Sequence, residues 1–155
     1  MHEIYRVALF GHRELQDLRT IEEGLAPLIQ ELIRTKEYVE FYIGRHGEFD
    51  EFAASVIKRT QNRIRHDNNV LILTIPYPVK DMEYYEEYYD EIIIPDLGRP
   101  HPKSAITKCN QWMVDTADSI LAYIERKSGG AYKAISYAEK NSKSVINVAS
   151  ITKQK

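Results

Sequence analysis

Three short stretches hold the side chains best suited to meeting an anion: Gly11-His12-Arg13, Gly44-Arg45-His46-Gly47-Glu48-Phe49-Asp50 and Ser128-Gly129-Gly130. Glycine admits a positive φ and lets a phosphate reach backbone N–H groups without meeting a Cβ atom. Arg13, Arg45 and His12 would add charge-assisted hydrogen bonds to phosphate oxygens. A carboxylate beside such a loop, here Glu48 or Asp50, has two chemical uses: holding a ribose diol, or promoting cleavage of a glycosidic bond. Asp50 also fits a plain helix cap. Each glycine taken alone suits an ordinary turn, so the weight rests on three such loops standing at equivalent places in the chain.

Those places are set by the elements around them. Residues 4–10 are apolar at consecutive positions, as in a strand buried on both faces, and stop at Gly11. Residues 38–43 form a second strand closed by Gly44, and residues 119–124 a fifth, just before Ser128-Gly129-Gly130. Further strands fall at 70–75, 91–94 and 144–149. Between them, Thr20-Ile21-Glu22-Glu23 reads as a capping box that opens a helix through Ile33, with Pro27 predicting a kink or a later start. Helices also fit residues 49–65, 104–114 and 132–140. Strands alternating with helices predict an α/β, Rossmann-like domain: a mostly parallel, doubly wound sheet with helices on both faces, binding ligands beyond the carboxyl ends of its strands.

Composition bounds the rest. The 155 residues allow one domain, 1–155, and 43% hydrophobic with 28% charged residues is an ordinary globular balance. A net charge of −2 gives no global attraction for nucleic acid, which is not expected as a partner, nor for a membrane. No run approaches the roughly 20 apolar residues of a spanning helix, and the start shows no basic leader or apolar h-region. With a single cysteine, these features suggest the cytoplasm. No cofactor is implied: both G-x-G-x-x-G after the first strand and the P-loop pattern are absent, which disfavours a dehydrogenase or an ATPase.

Taken together, Phe10-Gly11-His12-Arg13, Gly44-x-x-Gly47-x-Phe49-Asp50, Asn110-Gln111-Trp112-Met113-Val114-Asp115-x-x-Asp118 and Gly129-Gly130-Ala131 with Tyr137-Ala138 resemble the YpsA-like branch of the SLOG superfamily. That superfamily groups SMF/DprA-type and LOG-type Rossmann-like domains, and the resemblance runs in order over nearly the whole chain. It implies a sensor or sequestering module for a nucleotide or nucleotide-derived ligand, with phosphate on Gly11, His12, Arg13, Gly44, Arg45, Gly47, Gly129 and Gly130, and pairing into a homo-oligomer. LOG-type hydrolases carry P-G-G-x-G-T-x-x-E before the last helix. Here Tyr132-Lys133 replaces the glycine-threonine step and no glutamate follows, so a phosphoribohydrolase or N-glycosidase acting on nucleoside monophosphates, with Glu48 or Asp50 as its carboxylate, stands as the alternative.

Other reactive side chains have plainer readings. His2, His12, His46, His66 and His101 are scattered, so hydrogen bonding is expected of His12 and His46 rather than metal ligation. Cys109 reads as a packed thiol, and Asp115 and Asp118 as structural acids opposite the ligand edge. Lys58, Arg59, Arg63 and Arg65 fit a solvated helix end. Arg99, His101 and Lys103 form either an exposed connection or a lateral phosphate contact. Tyrosine is over-represented, 11 against 4 phenylalanines, and Tyr77, Tyr84, Tyr85, Tyr88 and Tyr89 crowd the segment after the third strand. Helical spacing there predicts one pair packed inward and another facing outward, as a lid or, favoured here, an interface.

Overall fold

The computed structural model describes residues 3–152. Six strands, β1 (Ile4–Gly11), β2 (Tyr38–Ile43), β3 (Asn69–Thr74), β4 (Glu91–Ile93), β5 (Ser119–Tyr123) and β6 (Ser144–Asn147), form one sheet in the order β4-β3-β2-β1-β5-β6. Every pairing is parallel. Six helices connect or end them: α1 (Leu18–Thr35), α2 (Glu48–Arg63), α3 (Met82–Tyr88), α4 (Pro102–Thr116), α5 (Gly130–Lys140) and α6 (Val148–Thr152). No described helix is long and apolar enough to cross a membrane.

Alternation along β1 divides the core in two. Val7 and Leu9 join Ile21, Leu25 and Ile29 of α1 and Phe49, Ala53 and Ile57 of α2 on one face. Ala8 and Phe10 join Met113 and Val114 of α4 and Ala134, Ile135 and Ala138 of α5 on the other. Apolar residues on both faces make the strands continuous hydrophobic runs, the pattern of a buried parallel sheet. The chain steps outward from β1 to β4, then α4 returns it to β5 on the other side of β1. The direction of winding therefore reverses between β1 and β5, and loops leaving these two strands part to opposite faces, opening a crevice between them.

Several boundaries differ from the sequence reading. α1 begins earlier, because Asp17 rather than Thr20 caps it: the Asp17 carboxylate accepts the Thr20 N–H at 3.1 Å. The helix also continues past Pro27 as one element, so the later start is not what occurs. Pro27 is exposed, so the carbonyl it leaves unpaired faces water rather than core. β6 stops at Asn147, whose amide takes over the ladder: Oδ1 accepts from Ile124 and Ala149 N–H groups while Nδ2 donates to the Ile124 carbonyl. Val148 and Ala149 thus start a helix instead of extending the strand. α4 starts at Pro102, with His101 Nδ1 accepting the Lys103 N–H at 3.1 Å.

Candidate functional site

The crevice has a volume of about 500 Å³ and is walled by four segments distant in sequence. Gly11, His12 and Arg13 come from the β1 end, Gly44, His46 and Asp50 from the β2–α2 turn, Arg126, Ser128, Gly129 and Gly130 from the β5–α5 loop, and Ile106 and Asn110 from α4. Of the residues expected from sequence, Arg45, Gly47 and Glu48 do not line it.

His12 joins its two sides. The ring is 6% exposed, and Nε2 accepts the N–H groups of Glu125 at 2.8 Å and Arg126 at 3.1 Å. Both are donors, so the ring proton sits on Nδ1 and the imidazole is neutral. Burial, reinforced by the Arg126 charge, pushes its pKa below the usual histidine range, with Glu125 opposing. His12 is a neutral clamp across the reversal point, not a cation offered to a phosphate.

The glycines divide by purpose. A Cβ on Gly11 would lie 2.1 Å from the Phe49 ring, and one on Gly47 would lie 2.4 Å from the Arg13 Cα. These two permit close packing of the β1 loop against α2. That contact consumes the start of α2, where Glu48 N–H donates to the Arg13 carbonyl at 2.8 Å and Phe49 N–H to the His12 carbonyl at 3.4 Å. Glu48 is held outside the crevice by accepting the Leu15 N–H at 2.9 Å. Arg45 turns to the Tyr85 hydroxyl at 3.1 Å, its guanidinium 5.3 Å from the ring centre. Arg13 Nε donates to the His46 carbonyl at 3.1 Å, which leaves its terminal nitrogens unpaired among the described residues.

The start of α5 is different. Gly129 caps it at φ +94°, a conformation that favours glycine, with no side-chain hydrogen bond. Lys133 N–H makes the first bond back, to the Gly129 carbonyl, so the N–H groups of Gly130, Ala131 and Tyr132 meet no acceptor among the described residues. No acidic residue stands in this first turn. Free N–H groups and the positive end of the helix dipole, beside Ser128 and Arg126, give this corner of the crevice a chemistry suited to an anion.

Asp50 supplies the opposite character. It is 9% exposed, and Oδ2 accepts the His46 N–H at 2.8 Å. Burial pushes its pKa up to about 7, against the His46 hydrogen bond that favours the carboxylate and with the Glu51 charge adding to the rise. His46 is pushed down by burial and by Arg45 and Arg13.

Residues that sequence reasoning missed include Glu14, Ile106, Asn110 and Arg126. Ile106 and Asn110 stand one helical turn apart on α4, and no local pattern reveals that α4 returns over the crevice. Among the described residues no three His, Cys, Asp or Glu side chains cluster to hold a metal, and His2 lies outside those residues. Cys109 is buried and its thiol pushed up to about 11 by that burial, an unreactive packed group. Asp118 accepts the Arg6 N–H at 2.8 Å and Asp115 the Tyr137 hydroxyl at 2.9 Å, away from the crevice. The basic run at the end of α2 stays at the surface, partly paired: Lys58 lies 4.2 Å from the Tyr88 ring centre, Arg59 pairs with Glu22, Arg65 just past the helix grips Asp67 at 2.7 and 2.9 Å, and Arg63 is exposed without an ion pair among the described residues.

A parallel sheet whose winding reverses over an uncapped helix start has the architecture of a Rossmann-like α/β domain. No family model and no curated protein matches the chain. Among solved structures it is similar to DNA processing protein A (DprA) from Streptococcus pneumoniae, with a TM-score of 0.66 and 14% identity over 92% of this chain and 49% of that one. It is also similar to DprA from Helicobacter pylori, described by its single-stranded DNA binding mode, with a TM-score of 0.60 and 13% identity over 91% of this chain and 63% of that one. The molybdenum cofactor carrier protein from Chlamydomonas reinhardtii follows at 0.58 and 13%, over 92% and 75%. The chain thus spans about half to two thirds of the DprA structures. At 13–14% identity these likenesses show the fold alone, the Rossmann-like α/β arrangement that the sequence resemblance implies.

They also correct one expectation. Nucleic acid had been set aside as a partner on net charge, yet the same fold binds single-stranded DNA in the Helicobacter pylori protein. The inference failed because −2 is an average over the chain. It includes the acid-rich segment around α3 and says nothing of a crevice that presents Arg13, Arg126 and free backbone N–H groups.

Proposed function

We propose that the chain is a binding module for a nucleotide or nucleotide-derived ligand, with phosphate on the α5 start between Arg13 and Arg126 and ribose against Asp50. One observation carries the reading. Gly130 has no conformational need to be glycine, since its φ is not positive, and no packing need, since a Cβ there would meet nothing within 4 Å. An open glycine directly after a capless Gly129 suits the close approach of an outside group such as a phosphate. A volume of about 500 Å³ is in the range of small-molecule sites.

Calorimetry against AMP, cyclic AMP and ADP-ribose tests it. Binding of at least one, weakened about tenfold or more in Gly130→Val and Arg13→Ala at unchanged melting temperature, is the expected result. Failure of all three to bind ends the reading. A second reading, a seat for single-stranded nucleic acid, is favoured by the DNA-binding neighbour and is distinguished by whether an oligonucleotide displaces the nucleotide. In the alternative of glycosidic cleavage, Asp50 is the one of the two carboxylates expected from sequence that lines the crevice, since Glu48 stands outside it. Release of free base from AMP, abolished in Asp50→Asn, is the outcome that would favour it.

A further inference from the structure

Two carboxylates line the crevice, an exposed Glu14 and a buried Asp50, and an anion seat does not explain the buried one. Asp50, the third residue of α2, is an acid 9% exposed in the wall of a site whose opposite end is built for negative charge. Its Oδ2 is fixed by the His46 N–H, while Oδ1 makes no bond and the side chain no ion pair among the described residues. The arginines of the two adjoining loops are engaged elsewhere, Arg13 Nε with the His46 carbonyl and Arg45 with the Tyr85 hydroxyl. Gly44 leaves the carboxyl uncovered: a Cβ there would come within 3.3 Å of Oδ2.

With the ribose against it, an unpaired carboxylate in this wall would still stand as a like charge toward the ligand's phosphates across the same crevice, with little water between to screen it. A carboxylic acid would instead bring a hydrogen-bond donor. The start of α2 and the His46 N–H favour the charged form, but both act on a group already out of water.

We infer that Asp50 meets the ligand as a carboxylic acid, donating its hydrogen to a ligand oxygen while Oδ2 goes on accepting from His46, so that capture takes up a proton and weakens as pH rises. This rests on the nucleotide reading of the crevice. The raised pKa of Asp50, about 7, places the change near neutrality. Other groups around it are Glu51 on α2, Tyr89 from the end of α3, His46 and Arg45 in the β2–α2 turn, His12 and Arg13 after β1 and Arg126 after β5. Tyr89 stays neutral, its phenol raised by burial first and by the Tyr88 and Asp50 charges after it. Protonation of His12 or His46 would also favour an anion at low pH, so only a change at Asp50 separates the contributions.

The test uses ADP-ribose and cyclic AMP, whose phosphates keep a fixed charge between pH 6 and 8. Each is titrated calorimetrically into the full chain at both pH values, in two buffers of different ionisation enthalpy, to count protons. Affinity is expected to fall about tenfold from pH 6 to pH 8, the change for a protonated-form binder with a midpoint near 7, with proton uptake on binding. Asp50→Asn, a permanent neutral donor that keeps the acceptor for His46, is expected to bind at pH 8 as the parent does at pH 6, with less than about twofold change between them. The inference is overturned by an Asp50→Asn protein that retains the tenfold fall, or by a parent that binds equally at both pH values without proton uptake. Absence of binding at either pH is a different result, because it removes the nucleotide reading itself. Should the variant fail to fold, the carbon-13 NMR shift of the Asp50 carboxyl in the parent's complex decides the matter: a protonated carboxyl at pH 7 supports the inference and an ionised one overturns it.

Discussion

A glycine can be required by its φ, by what would collide with its Cβ, or by neither, and all three cases occur at this site. Gly11 and Gly47 are packing glycines, Gly129 is conformational, and Gly130 is neither. Gly130→Ala is therefore expected to leave stability unchanged or raise it by about 0.4–1 kcal/mol, since alanine loses less chain entropy in a helix, while weakening ligand binding. Gly11→Ala, against the Phe49 ring, is expected to destabilise by about 1–3 kcal/mol through overpacking. Denaturant unfolding of the two variants checks both. In the sequence these glycines look alike, because what distinguishes them is a neighbour 38 or so positions away. Asp50 gives a second prediction at this scale. Its folded pKa, about 7, lies above the ordinary aspartate value, so between the two the folded chain holds a proton that the unfolded chain has lost. Its contribution to stability is thus present at low pH and declines as pH rises toward 7, by up to about 1.4 kcal/mol per unit. His12 and His46, both lowered, act in the opposite sense, losing stability as pH falls through 6.5. The readout is accordingly the difference between Asp50→Asn and the parent, which should widen in favour of the variant from pH 5 to pH 7 and then level off.

At the scale of elements, β1, β2, β3 and β5 were legible from their apolar runs, because a strand buried on both faces needs no partner to reveal it. α1 was legible in type but not at its start, where Asp17 and Thr20 are both acceptable caps and only the backbone decides. The tyrosine segment was half legible. Its spacing gives the two extremes, Tyr89 at 6% exposed and Tyr84 at 60%, but not a clean outward pair: Tyr88 packs partly buried against the core as Tyr85 does, its ring stacked 6.0 Å from that of Tyr84. What spacing could not give is the tie from Tyr85 to Arg45, one residue beyond Gly44. No tyrosine of the segment lines the crevice, so its link to the site runs through that arginine and through Tyr89 beside Asp50. Tyr84→Ala is expected to change stability by less than about 0.5 kcal/mol, as an exposed substitution, and Tyr89→Ala to cost about 3–5 kcal/mol, as a buried aromatic. Thermal and denaturant melts of the pair would show whether α3 is anchored from one side only.

For the whole molecule, the reversal of winding between β1 and β5 is what turns four separate segments into one wall, and it also explains what the sequence hid. Alternating strands and helices predict a doubly wound sheet, but strand order is a property of pairing, and α4 enters the crevice only because it carries the chain back across β1. Charge has the same global character. Arg59 and Arg65 are used in ion pairs and Lys58 over Tyr88, while six acidic residues lie between positions 81 and 91. Arg13 and Arg126 are the cationic side chains that line the crevice. A single strand of nucleic acid threading it would therefore seat one or two phosphates rather than a long track. Each phosphate neutralised on a single strand contributes about −0.7 to the slope of log affinity against log salt. An oligothymidylate bound at this site is expected to show a slope between about −0.7 and −1.4, to lose about 0.7 of it in Arg13→Ala, and to be displaced by ADP-ribose. A much steeper slope, insensitive to Arg13 and to ADP-ribose, would mean that nucleic acid is held along another surface, and that the crevice serves a separate small ligand.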